Sequence, residues 1–228
     1  HLIPLNNAIG NTTKTQSFDG AVIEELNAVL NRPVEKNRVI FVHLMGSHSS
    51  YCSRYPSEYE KYSGVLKASE FGLLNLDESL YQSINCYDNT VLYGDYVVGS
   101  IIDLLEKNDG VNGLLYFSDH ADDVISKVGH NATNFTYDMT RIPLFFWLSE
   151  KYKNTYQEKI RSLVKNQNSL FSNDDIYDTL VGFFDVETER YQAVNDLTSE
   201  QYFLDEESAY TLHGKVAYSA SENAFFHQ

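Results

Sequence analysis

Three histidines and an aspartate carry most of the chemistry this sequence offers. Ser118-Asp119-His120 stands where a short apolar run, Leu114 to Phe117, gives way to a polar segment. A carboxylate and an imidazole leaving one strand side by side can turn onto a single cation, supplying the oxygen and nitrogen ligands that zinc accepts. Taken alone, the pair has an ordinary explanation: an Asp that caps a turn beside a surface His. Two further segments shift the balance. Met45-Gly46-Ser47-His48 closes the apolar run Val39 to Leu44, and Gly129-His130 follows His120 closely in the chain. Three of the seven histidines therefore leave strands or loops on what should be one sheet edge, where α/β proteins gather their ligand sites. His43 lies inside the first run and reads as a core histidine. His1, His213 and His227 sit near the termini or in a weakly patterned segment and receive no role.

The elements that must position these groups follow from periodicity. Val39 to Leu44, Leu114 to Phe117 and Pro143 to Leu148 are strand-sized apolar runs. Between the first two, Leu80, Ile84, Tyr87, Val91, Val98, Ile101, Leu104 and Leu105 recur at mostly helical spacing, which predicts a long helix that stops at Asn108-Asp109-Gly110. Strand, helix, strand in this order implies a crossover, and with it an α/β class with a mostly parallel sheet flanked by helices. A second helix is expected from about Ser149 to Val164, and a third from Asn173, where Asn and Asp can cap Ile176, Leu180, Val181 and Phe184. Beyond Asp185 the pattern weakens, with a short hairpin expected around Tyr210 to Tyr218. Nothing divides the chain internally, so residues 1–228 read as a single domain.

Composition excludes some partners. With 17 Lys and Arg against 32 Asp and Glu, the formal net charge is −15, which is incompatible with neutralising a nucleic-acid backbone. No apolar run approaches the roughly 20 residues of a membrane-spanning helix. The spacing of Cys52 and Cys86 fits neither a zinc ribbon nor a redox CxxC motif, and a disulfide and two free thiols are equally compatible with it. Most of the 17 tyrosines, Tyr87 and Tyr93 among them, fall where packing accounts for them.

Several ordered blocks now carry a family resemblance. Phe41-Val42-His43-Leu44-Met45-Gly46-Ser47-His48 with Arg54-Tyr55-Pro56, then Asn85-Cys86-Tyr87-Asp88-Asn89-Thr90, then Ser118-Asp119-His120, Gly129-His130, Arg141-Ile142-Pro143 and Trp147-Leu148-Ser149 resemble the phosphoethanolamine transferases of the alkaline phosphatase and sulfatase superfamily over residues 36–187. The resemblance implies a sulfatase-like α/β fold and a zinc enzyme at the periplasmic face of the bacterial inner membrane. Such an enzyme moves phosphoethanolamine from phosphatidylethanolamine to lipopolysaccharide, on lipid A or a core sugar, through a phosphorylated intermediate. By the same resemblance Asp119 and His120 would hold the zinc, while His48 and His130 would face the transferred phosphate or a second metal.

The sequence also departs from the family. The family's metal-binding Glu and nucleophilic Thr come from segments upstream of the strand matching Val39 to Leu44, and Thr12, Thr13 and Thr15 lack the surrounding pattern that would present a nucleophile. The chain is thus expected to be the C-terminal part of the catalytic domain, incomplete and inactive by itself, with the N-terminal half and the membrane segments lying outside it. Ala121-Asp122-Asp123 replaces the usual Gly and acidic residues after the metal pair, where an Ala would tolerate a positive φ poorly. The competing readings are a sulfatase or glycerol-phosphate transferase, disfavoured by the Tyr-Asp-Asn-Thr block, and a catalytically inactive binding module.

Overall fold

The expected long helix is present in the computed structural model, which describes residues 18–33, 36–64, 78–212 and 214–219. The chain divides into two units, residues 1–109 with 122–129 and residues 110–121 with 130–228.

In the first unit, α1 (Ala21–Leu30) buries Leu26, and α2 (Glu78–Lys107) runs for 30 residues. Cys86, Thr90, Tyr93, Val97 and Ile101 recur three or four positions apart and are all buried, so they form the inward stripe of α2. Val91, expected on that stripe, is exposed, because it sits one position round the helix from Thr90. The Asn of the Tyr-Asp-Asn-Thr block acts as a backbone partner: buried Asn89 accepts from the N–H groups of Lys61 and Tyr62 at 2.8 and 2.9 Å and donates to the Tyr62 carbonyl at 3.0 Å. Cys52 and Cys86 are joined in a disulfide, which resolves the choice the spacing left open.

Two expectations are corrected in this unit. Val39 to Leu44 takes part in no strand ladder among the described residues, and Val39, Ile40 and Phe41 are exposed, Phe41 at 79%. His43 is likewise exposed rather than a core residue. An apolar run states a preference for burial, but burial also needs a neighbour to cover it, and no described residue closes a ladder there.

In the second unit, β1 (Gly113–Phe117) pairs with β2 (Leu144–Leu148) in antiparallel register, Leu115 opposite Phe146. The crossover inferred from strand order concerns Val39 to Leu44 and Leu114 to Phe117; the direction of this second pair is not set by it, since order along the chain does not say which strands become neighbours. The stretch expected as one helix from Ser149 is two, α3 (Glu150–Thr155) and α4 (Gln157–Asn166), broken where Tyr156 takes φ −116° and ψ 50°. The Ser149 hydroxyl caps α3 by accepting from the Tyr152 N–H. Ahead of α5 (Ile176–Phe183), Ser172 and Asp175 form a capping box one residue earlier than the Asn173 start expected. Phe183 packs edge-on against Phe146 at 5.4 Å, and Gly113 makes room for it, since a Cβ there would meet the ring at 2.5 Å. The expected hairpin is present as β3 (Tyr210–Thr211) paired with β4 (Val216–Ala217); its His213 lies outside the described residues, as do His1, His227, Thr12, Thr13 and Thr15. Among the described residues no helix is long and apolar enough to cross a membrane.

The segment beyond Asp185, weakly patterned in sequence, is anchored by polar contacts as well as by buried Leu197 and Ala209. Tyr202, buried, donates its hydroxyl to the Leu170 carbonyl at 2.8 Å and lies 3.0 Å from Asp175 Oδ2. Burial pushes the Asp175 carboxyl above its ordinary range, against the bonds from the Ser172 N–H and the Tyr202 hydroxyl, which favour the charged form. Tyr202→Phe leaves both acceptors short of a donor and should lower unfolding stability by about 1–2 kcal/mol in denaturant titrations. An unchanged midpoint would mean that water replaces the hydroxyl at no cost.

Candidate metal centre

The loop that leaves β1 is shaped by its own polar side chains. The Ser118 hydroxyl donates to the His120 carbonyl at 2.7 Å, which bends the chain back across Asp119. The Asn173 amide donates to the carbonyls of Ser118 and Asp119 at 3.1 and 2.9 Å and so ties the loop to the segment that starts α5. These are the orienting contacts the sequence did not reveal, because Asn173 read only as a helix cap.

Within that loop the Asp119 carboxylate accepts from the His120 N–H at 3.1 Å, and its other oxygen lies 3.7 Å from His120 Nε2. His120 Nδ1 sits 3.3 Å from the Ala121 carbonyl. A carbonyl only accepts, so Nδ1 is the donor of that contact, and Nε2 is the nitrogen turned to Asp119. The His130 ring lies 4.3 Å from that of His120, tilted by 34°, with one nitrogen of each within 4.8 Å of the other. In the second unit Asp119 thus lies beside His120, and His120 beside His130. The Asp119 side chain is 85% exposed and that of His120 40%, which leaves both reachable. Two imidazoles with ring nitrogens within 4.8 Å of each other, and a carboxylate beside one of them, are groups of the kind zinc accepts. Ala121 lies outside the left-handed region and donates to the Met139 carbonyl at 2.9 Å, so the anticipated strain at this position does not arise.

His48 belongs to the first unit. It follows a turn in which Gly46 takes φ +52° and the His48 N–H closes onto the Met45 carbonyl at 3.2 Å. The Ser49 hydroxyl lies 3.2 Å from His48 Nδ1. Asp122, the next acidic residue after Asp119, is also in the first unit and accepts from the Tyr51 hydroxyl at 2.5 Å. Burial, with the Asp122 bond and charge adding to it, pushes the Tyr51 phenol well up, so it stays a neutral donor.

The chain belongs to the sulfatase family, whose model matches residues 4–186. Among the proteins it resembles, the Escherichia coli K12 phosphoethanolamine transferase EptA is 30% identical over 191 residues, 80% of this chain and 34% of that protein. The Kdo(2)-lipid A phosphoethanolamine 7''-transferase of the same organism is 25% identical over 72% of this chain and 29% of its own length. In structure, the chain matches the C-terminal periplasmic domain of EptC from Escherichia coli, crystallised in complex with zinc, with a TM-score of 0.74 and 27% identity over 87% of this chain and 55% of that domain. The sulfatase-like α/β class expected from sequence stands. The chain spans about a third of the length of these curated relatives and about half of the solved domain.

Proposed function

We propose that residues 1–228 are the C-terminal part of the catalytic domain of a phosphoethanolamine transferase, which moves phosphoethanolamine from phosphatidylethanolamine to lipopolysaccharide, on lipid A or a core sugar. The observation that carries this reading is His120, at the exit of β1, with the Asp119 carboxylate on one side and the His130 ring on the other, in a chain similar to transferases of that name. Asp119 and His120 are the groups that would hold zinc. Zinc bound there would lower the pKa of a coordinated hydroxyl nucleophile and offset charge on the phosphoryl oxygens.

The chain's own residues do the rest. Asn173 and Ser118 hold the Asp119 loop in one conformation, so no reorganisation is required when the phosphate arrives. His130 and His48 donate hydrogen bonds to the transferred phosphate and return a proton to the leaving alkoxide. A location on the periplasmic face of the inner membrane agrees with the Cys52–Cys86 disulfide, since such bonds persist in oxidising compartments.

Mass spectrometry of lipopolysaccharide from cells expressing the gene's full product tests the reading. A phosphoethanolamine adduct that disappears in His120→Ala is the expected result, and fragmentation places it on lipid A or core. An adduct that persists in the variant, or none with the unaltered protein, contradicts the proposal and favours an inactive binding module.

A further inference from the structure

The turn that delivers His48 is held by a carboxylate from a distant part of the sequence. Asp19, at the start of α1, accepts from the Met45 N–H at 3.1 Å through Oδ1 and from the Gly46 N–H at 2.7 Å through Oδ2. The left-handed conformation of Gly46, with φ +52°, belongs to the kind of turn whose successive N–H groups converge into an anion-binding concavity, and here a side chain of the protein fills it. The position of Asp19 is itself fixed from α2: the Tyr93 hydroxyl accepts from the adjacent Gly20 N–H at 2.8 Å. One residue further along the turn, the Ser47 and Thr90 hydroxyls are hydrogen bonded at 2.7 Å. His48 therefore emerges from a turn gripped at three consecutive residues, with two of the three contacts supplied by one carboxylate.

We propose that Asp19 is a positioning residue that acts through His48. Its two charge-assisted bonds set the direction in which the chain leaves Gly46, and with it the place of the His48 imidazole. This rests on the proposed transfer reaction, in which His48 faces the phosphate. A turn released from Asp19 still contains His48, but no longer aims it. A misplacement of about 1 Å costs catalysis up to about 100-fold.

The test uses Asp19→Asn, nearly isosteric but with an amide N–H₂ set against one of the two N–H donors, in the gene's full product. The expected result is a roughly 10- to 100-fold fall in transfer rate at saturating donor with KM unchanged. In a His48→Ala background the same substitution should cause no further fall, because the two changes remove one function. Hydrogen exchange of residues 45–48 should quicken in Asp19→Asn while the melting curve stays in place. Independent, multiplying losses in the double variant would overturn the proposal, and so would a loss explained by a lowered melting temperature. If the unaltered protein transfers nothing, the reaction reading fails; exchange at residues 45–48 then decides the positioning role, and unchanged exchange overturns it.

Discussion

Gly182→Ala should destabilise the second unit by about 3 kcal/mol, the upper end of the cost of forcing extra atoms into a packed core. A Cβ at this position in α5 would stand 1.9 Å from Asp196 Oδ2, 2.5 Å from its Cγ and 2.6 Å from Thr198 Oγ1. The carboxylate has nowhere to go. Asp196 is 1% exposed and receives the Tyr191 hydroxyl at 2.6 Å, the Thr198 N–H at 2.7 Å and the Thr198 hydroxyl at 2.8 Å. Burial pushes its carboxyl above the ordinary range, while the Tyr191 and Thr198 bonds and the Lys159 charge pull the other way. A folded-state pKa raised in this way gives stability that is fully present below the unfolded value and lost as pH rises through the folded one. Shifting Asp196 to admit a methyl would strip these bonds from a buried acid. Gly99→Ala supplies the control: this glycine lies on the exposed face of α2, and a methyl added there would meet nothing within 4 Å, so the same change should add up to about 1 kcal/mol. Denaturant midpoints of the two variants should move in opposite directions. Equal or absent shifts would contradict the packing described for α5.

Removal of the Cys52–Cys86 disulfide should be the other large effect. The bridge closes a separation of 34 residues, for which the loop-entropy relation gives about 4 kcal/mol. It links the short helical turn Tyr51–Ser53 to the buried face of α2, where Cys86 also receives the Tyr55 hydroxyl at 3.4 Å. Cys52 lies four residues after His48, so the bond also tethers the far side of the His48 turn. Cys86→Ser, or reduction of the unaltered protein, should lower the melting temperature of the first unit by many degrees. Identical melting curves with and without reductant would mean that Asn89 and the α2 stripe hold residues 51–62 unaided.

Much of the candidate site could be read from residue order. Asp119, His120 and His130 carry their chemistry in their side chains, and their placement after a strand-sized apolar run is enough to suggest convergence on one ligand. Helix α2 was equally legible, because its apolar residues repeat at helical spacing and no tertiary contact is needed to see it. What escaped were features decided by pairing between distant residues. The β1–β2 register is antiparallel because Pro143 to Leu148 returns beside Leu114 to Phe117, and a hydrophobic run does not encode its neighbour's direction. His43 and Phe41 look like core residues by type, but are exposed because no described residue covers them. Asp19, Asn89 and Asn173 act through backbone N–H and C=O groups far away in sequence, a role any short polar residue could take. Tyr191, Asp196 and Thr198 hold the segment after Asp185 with hydrogen bonds in place of an apolar pattern, which is why that segment read as weakly structured.

The central claim, that this chain carries the zinc-binding side of a phosphoryl-transfer site, is tested most directly by elemental analysis of zinc in the purified protein beside an Asp119→Ala variant. Close to one zinc per chain is expected in the unaltered protein and a loss of most of it in the variant. Zinc absent from both, or retained equally by both, would contradict it.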